Sequence, residues 1–161
     1  MQYPNYPGYV FSSFELKDHI RRVPQLDWIG LQNDLGTDEM TPTGILHELL
    51  HVYDCTGNFT PVGNRKAVET IINKTHKTLR SMNDSEIRVS AIEYLVANYY
   101  GQNDRIDNYW IDAYTSIMTD SSLVQVQHRF IKMLTSKKVR AMVDATLGFL
   151  KPYELSESGN R

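Results

Sequence analysis

Two histidines four positions apart, with a glutamate directly after the first, are the residues of this chain best suited to chemistry. They are His47, Glu48 and His51, in the run TPTGILHELLHVYDC at residues 41–55. On a helix, imidazoles at i and i+4 share one face and can bind the same Zn²⁺ ion, while the glutamate can take a proton from a metal-bound water. The spacing therefore predicts a zinc site for hydrolysis, with His47 and His51 as ligands and Glu48 as general base.

The helix that carries these residues must hold them away from its apolar side. On a helical wheel the two histidines lie about 40° apart, opposite a broad apolar arc. The arc contains Ile45, Leu46, Leu49, Leu50, Val52 and Tyr53. Thr41 and Pro42 favour a helix start, and Gly57 favours a stop. Asp54 falls on the same side as His47, so we expect it to orient an imidazole by accepting its ring N–H.

A catalytic zinc site with two histidines needs a third protein ligand and one open position. Two helices are predicted after the motif, over residues 64–80 and 84–101. The candidate ligands on them are Glu69 and His76 on the first, and Glu86 and Glu93 on the second. His76 lies near apolar positions, which is more typical of a half-buried structural histidine. Glu86 and Glu93 share the polar face of their helix, so periodicity leaves both open.

The motif and a second segment together resemble a known family of metal enzymes. HELLH, followed after about forty residues by AIEYLVAN, resembles the zincin metallopeptidases of the gluzincin kind. Residues 91–97 are similar to the zincin domain of antirestriction proteins, and PTGILHELLHVYD is similar to small bacterial effector zincins. The resemblance implies Zn²⁺ bound by His47, His51 and Glu93, with Glu48 as general base and Glu86 as the reserve third ligand.

The rest of the chain predicts one helical domain. Its 161 residues, 41% of them hydrophobic, suffice for one core but not for two ordinary domains. Beyond residue 40 the apolar spacing predicts helices only, the last three around Trp110, Phe130 and Val143. Two short extended segments, GYVFSSF and DWIGLQ, precede them. We expect an α+β, predominantly α, minimal zincin-like fold over residues 1–161, with about six helices, a small N-terminal β portion, an extended arm at 1–7 and a polar tail at 152–161.

Composition excludes several classes of site and partner. The net charge is −2 and like charges do not form long blocks, so neither nucleic acid nor an anionic membrane is an expected partner. A single cysteine, Cys55, excludes an internal disulfide and a thiolate-rich zinc site. The sequence has no apolar run of membrane-spanning length and no signal peptide, which predicts a cytoplasmic protein. The expected partner is a protein or peptide substrate.

A non-catalytic role is the alternative prediction. A zincin peptidase usually binds an extended substrate along the edge of a sheet, and few residues precede the motif helix to form one. Oxyanion stabilisation has only uncertain candidates. They are Tyr99, Tyr100, Tyr109 and His128. The Pro- and Tyr-rich arm MQYPNYP suits an extended segment lying on another subunit. On this alternative the chain is an interaction module with a zincin scaffold, built into a larger assembly such as a phage virion.

Overall fold

The computed structural model describes residues 23–35, 42–62, 64–102, 106–117 and 122–156. These ranges are predominantly helical, and their only β-type pairing is an isolated antiparallel bridge between Leu26 and Glu154. The helices are α1 (Trp28–Leu35), α2 (Pro42–Thr56), α3 (Arg65–Thr75), α4 (Leu79–Tyr99), α5 (Ile106–Ile117), α6 (Leu123–Met133) and α7 (Lys137–Leu150), followed by a 3₁₀ turn at Lys151–Tyr153. None of these helices is long and apolar enough to cross a bilayer.

The first described helix replaces a predicted extended segment. DWIGLQ forms the start of α1, where the Asp27 side chain accepts a hydrogen bond from the backbone N–H of Gly30 at 3.0 Å. Leu31 and Leu35, four residues apart, are both buried. The strand prediction for DWIGLQ is therefore wrong, because helix capping by Asp27 and burial of the two leucines outweigh local strand propensity. The other predicted extended segment and the arm at 1–7 lie outside the described residues.

Helix α4 is the central element of the fold. It packs against α2, α5, α6 and α7. Apolar side chains on several of its sides are completely buried, among them Ile87, Val89, Ile92 and Val96. Towards α2, in contrast, α4 presents polar side chains, including Ser85 and Glu93, that are also buried. A buried polar face on a central helix requires partners across the interface, and α2 supplies them.

The boundary between α3 and α4 differs from the prediction. Helix α3 ends at Thr75 and α4 begins at Leu79, because the Thr78 side chain caps α4 by accepting from the N–H of Ser81 at 3.1 Å. The predicted ranges 64–80 and 84–101 are therefore wrong at this junction. Residues 84–86, which look like a helix start, lie inside α4. Helices α5, α6 and α7 occur where the apolar spacing predicts them.

Helix α2 is formed as the sequence predicts and is fixed at its C-terminal end. It ends before Gly57, whose φ of 80° is the left-handed conformation that glycine adopts readily. The ring of Phe59 then stacks on Tyr53 at 4.3 Å and on Phe149 of α7 at 4.5 Å. These contacts hold α2 in place, so its polar face keeps a constant position opposite α4.

Candidate metal centre

The three residues of the H-E-x-x-H motif form a buried cluster on α2. Their side chains have possible ligand atoms that all lie within 4.8 Å of one another. His47, Glu48 and His51 are only 6%, 7% and 1% exposed. The two imidazole rings meet edge to face with centroids 4.7 Å apart. Burial of three such polar groups side by side is unusual for a solvated helix face.

Glu86 of α4 faces both imidazoles at once. Its Oε1 atom lies 3.4 Å from Nε2 of His47 and 3.3 Å from Nε2 of His51. Atoms bound tetrahedrally to one Zn²⁺ at roughly 2.0–2.1 Å lie roughly 3.3–3.4 Å from each other. The two nitrogen–oxygen distances therefore match the spacing of ligands around a common zinc ion.

Glu93 lies on the other side of the His47 ring. Its Oε1 atom is 2.6 Å from Nδ1 of His47, and the side chain is almost completely buried. When Glu93 is ionised, its carboxylate can only accept, so Nδ1 of His47 donates to it and Nε2 of a neutral ring keeps its lone pair. This is the arrangement in which a carboxylate orients a metal-binding histidine. Glu93 is therefore brought to the site, but at the ring nitrogen that faces away from Glu86.

The Nε2 atoms of the two histidines and Oε1 of Glu86 are all acceptors when the imidazoles are neutral and protonated at Nδ1. Nε2 of His51 and Oε1 of Glu86 are buried and have no hydrogen-bond partner. Burial alone raises the pKa of Glu86, but positive charge on His51 and His47 outweighs it and holds the pKa well below its usual range. Glu86 is therefore ionised, and once the imidazoles are neutral its oxygen and the two Nε2 atoms form a group of acceptors suited to a shared cation. A divalent metal ion fits this donor set.

Asp54 reaches the site through a hydroxyl group. The Ser85 hydroxyl donates to Oδ2 of Asp54 at 2.8 Å, and Ser85 Oγ lies 3.1 Å from Nδ1 of His51. Arg88 donates two further hydrogen bonds to Asp54, at 2.8 and 2.9 Å. Burial raises the pKa of Asp54, but the bonds and charge of Arg88 outweigh it, so the pKa lies below its ordinary value. Asp54 is thus an ionised group connected to His51 by Ser85.

The other sequence candidates lie elsewhere or have other partners. Glu69 and His128 are exposed on α3 and α6. Nε2 of His76 lies 3.6 Å from Asp54, at the edge of the network around Ser85. Among the proposed oxyanion groups, Tyr99 is 60% exposed, and the hydroxyl of Tyr100 donates to Glu154 at 2.8 Å. Burial and this bond raise the pKa of Tyr100.

Sequence reasoning missed two residues next to the cluster, Ser85 and Arg88. Ser85 lies in the tripeptide Asp84–Ser85–Glu86, which is typical of a helix start and thus suggested a cap. The positions three and four residues along a helix share its face, so Arg88 follows Ser85 at a spacing that places both opposite α2. That spacing is the one signal in the sequence that could have found them.

Comparison with known proteins supplies no family for this chain. No protein-family model, curated protein or solved structure matches it. Function is therefore inferred from the chemistry and geometry of the cluster.

The three side chains differ in their exposure to solvent. The side chain of Glu86 is 27% exposed, whereas those of His47 and His51 are 8% and 1% exposed. Of these three side chains, that of Glu86 is thus the most accessible to solvent.

Proposed function

We propose that this protein is a Zn²⁺-dependent hydrolase of the zincin kind that cleaves a peptide bond. His47, His51 and Glu86 bind the metal, and Glu48 is the general base. The proposal rests above all on one observation, the convergence of two imidazole Nε2 atoms on a single carboxylate oxygen at 3.4 and 3.3 Å. Two histidines and one carboxylate with an open fourth position form a common ligand set of catalytic zinc sites.

The charge of the cluster favours a divalent cation. Three carboxyl groups, Glu48, Glu86 and Glu93, surround two imidazoles, and Glu48 and Glu93 are almost completely buried. Buried carboxylates without a compensating charge are strongly destabilising. A dication bound between the imidazoles and Glu86 offsets most of this negative charge. Nitrogen and oxygen ligands in this combination suit Zn²⁺ better than Ca²⁺ or Mg²⁺, which prefer oxygen alone.

The proposal gives the two glutamates of α4 different roles. The resemblance to gluzincins implies Glu93 as third ligand, with Glu86 in reserve. The contact between Glu93 and Nδ1 of His47 supports an orienting role for Glu93, since in this proposal the metal binds Nε2 and its third ligand has to face that nitrogen. We therefore assign Glu86 as the third ligand and Glu93 as the carboxylate that fixes the His47 ring.

Glu48 is positioned for proton transfer. Its Oε1 atom lies 3.9 Å from Nε2 of His47, the nitrogen that would bind the metal. When bound, Zn²⁺ acts as a Lewis acid that lowers the pKa of a coordinated water to about 7. Glu48 then accepts a proton from the attacking water and returns it to the leaving amine. Because Glu48 is buried, the transferred proton is shielded from bulk solvent while it is held.

A second candidate function has an observation in its favour. Both histidines are buried, and among the described residues no strand lies beside the cluster to pair with an extended substrate. A metal held in this way would tie α2 to α4 without catalysis. The chain would then act as an interaction module, with neighbouring subunits of a larger assembly such as a phage particle as its partners.

The two functions differ in one experiment. Zinc-loaded protein is incubated with a peptide library, and new termini are detected by mass spectrometry. The matched control is Glu48→Gln, which leaves the proposed ligands intact. The hydrolase proposal predicts cleavage by the wild type and none by Glu48→Gln, with equal zinc content in both. Equal zinc content without cleavage by either protein would favour the interaction module, and a wild type that binds no zinc would refute both forms of the proposal.

A further inference from the structure

A hydrogen-bonded relay runs from His51 through Ser85 and Asp54 to Arg88. Nδ1 of His51 meets Oγ of Ser85 at 3.1 Å, and the Ser85 hydroxyl donates to Oδ2 of Asp54 at 2.8 Å. Arg88 then holds both carboxylate oxygens of Asp54 in a two-bond contact. Ser85 is completely buried, and the Asp54 side chain is also buried. Water therefore does not compete for these bonds.

The hydrogen-bond donors and acceptors around Ser85 determine which ring nitrogen of His51 carries the hydrogen. A serine hydroxyl carries one hydrogen, and Ser85 gives it to Asp54, which as a carboxylate can only accept. The contact between Ser85 and His51 therefore requires the hydrogen of the ring, so Nδ1 of His51 is the donor. In the neutral ring, Nε2 of His51 is then the nitrogen with the free lone pair, and it is the one that faces Glu86 at 3.3 Å.

We propose that Ser85, with its hydroxyl directed by Asp54 and Arg88, is the positioning residue that fixes His51 in its metal-binding tautomer. The consequence for metal affinity rests on the proposed function, but the tautomer is a property of the metal-free protein. His47 is fixed by the charged carboxylate of Glu93, whereas His51 is fixed by a neutral hydroxyl. The positive charge of Arg88 balances the negative charge of Asp54. The hydrogen bonds that fix His51 therefore add no net negative charge to the site.

The test compares two buried serines on the same helix. Ser85→Ala removes the relay, and Ser90→Ala is the matched control, because Ser90 is 1% exposed on α4 and has no hydrogen-bond partner. Long-range ¹H–¹⁵N correlation spectra of ¹⁵N-histidine protein, without metal at about pH 8, report which ring nitrogen of His51 carries the proton. Competition with a chromophoric chelator reports the zinc affinity.

The expected results distinguish a role of Ser85 in orienting His51 from a role in packing alone. Wild type and Ser90→Ala should show His51 protonated at Nδ1, and Ser85→Ala should show a large population protonated at Nε2. Zinc affinity should fall about 10–100-fold in Ser85→Ala, which is typical for loss of a group that orients a ligand, and should stay nearly unchanged in Ser90→Ala. If Ser85→Ala does not fold, the double variant Asp54→Leu/Arg88→Met frees the hydroxyl without leaving one buried charge alone.

Two results would overturn the relay. One is a wild-type His51 protonated at Nε2. The other is a Ser85→Ala protein, or the double variant, with the same tautomer as the wild type, even if its zinc affinity is lower. Failure of the proposed function looks different, because a wild type that binds no zinc can still show the predicted tautomers in all variants.

Discussion

Replacing Glu86 and Glu93 one at a time with glutamine should have opposite effects on the metal-free protein. The amide of Glu86→Gln can donate to the Nε2 atoms of His47 and His51, which lie 3.4 and 3.3 Å from the present oxygen. With both imidazoles neutral, each new hydrogen bond contributes about 0.5–1.5 kcal/mol, so two raise the free energy of unfolding by about 1–3 kcal/mol. Glu93→Gln replaces a charge-assisted hydrogen bond to His47 with a neutral one, which lowers the free energy of unfolding by about 1 kcal/mol.

Zinc should narrow the difference in stability between these two variants. At a zinc concentration of about 100 times Kd, binding stabilises the wild type by about 2.7 kcal/mol. Glu86→Gln loses this gain because a neutral amide is a poor zinc ligand. Glu93→Gln keeps part of it, since loss of an orienting group weakens zinc binding about 10–100-fold.

Thermal unfolding with and without zinc measures both effects. The experiment is run at about pH 8, because alkaline pH favours the neutral form of histidine. For a chain of this size, 1 kcal/mol shifts the Tm by about 2–4 °C. The roles assigned to the two glutamates would be refuted if Glu93→Gln abolished the zinc-dependent rise in Tm while Glu86→Gln retained it, or if Glu86→Gln lowered the Tm of the metal-free protein.

Three further predictions concern the polar contacts around α4. Arg88→Gln should lower the free energy of unfolding at pH 7 by about 3–5 kcal/mol, measured by urea denaturation, because it leaves the Asp54 carboxylate buried without its cation. Asp54 has a lowered pKa in the folded protein, so its stabilising effect is present above its ordinary pKa of 3.8 and lost as the pH falls through the folded value. The stability difference between wild type and Asp54→Asn should therefore shrink below pH 3.8, and a constant difference would contradict this. Tyr100→Phe should cost about 1.5–3 kcal/mol in thermal unfolding by removing the bond to Glu154, whereas Tyr99→Phe, at an exposed position, should change little.

Helices with strong, regular apolar spacing could be predicted from the sequence alone. Helix α2 has a proline at its start, a glycine after its end and a continuous apolar arc, so its existence and its polar face were both predictable. Helix α1 was not, because it is only eight residues long and begins with Trp28 and Ile29, two types that favour strands. The α3–α4 boundary depends on the cap at Thr78, which competes with a second plausible helix start at residues 84–86.

For the proposed third ligand, the sequence leaves two candidate residues and does not choose between them. Glu86 and Glu93 are seven positions apart, almost two full helical turns, so they lie on nearly the same face of α4. A helical wheel shows the direction of each side chain but not the height at which α2 crosses. That height decides that Glu86 meets the Nε2 atoms and Glu93 meets Nδ1 of His47. The relay through Ser85 depends on the same crossing.

The most direct test is the zinc content of protein purified without chelator. Elemental analysis is carried out on the wild type, Glu86→Ala and Glu93→Ala side by side. The proposed site predicts about one zinc per chain in the wild type, none in Glu86→Ala, and a weakened but measurable content in Glu93→Ala. Absence of zinc from the wild type after metal-replete expression, or loss of zinc in Glu93→Ala with full retention in Glu86→Ala, would contradict it.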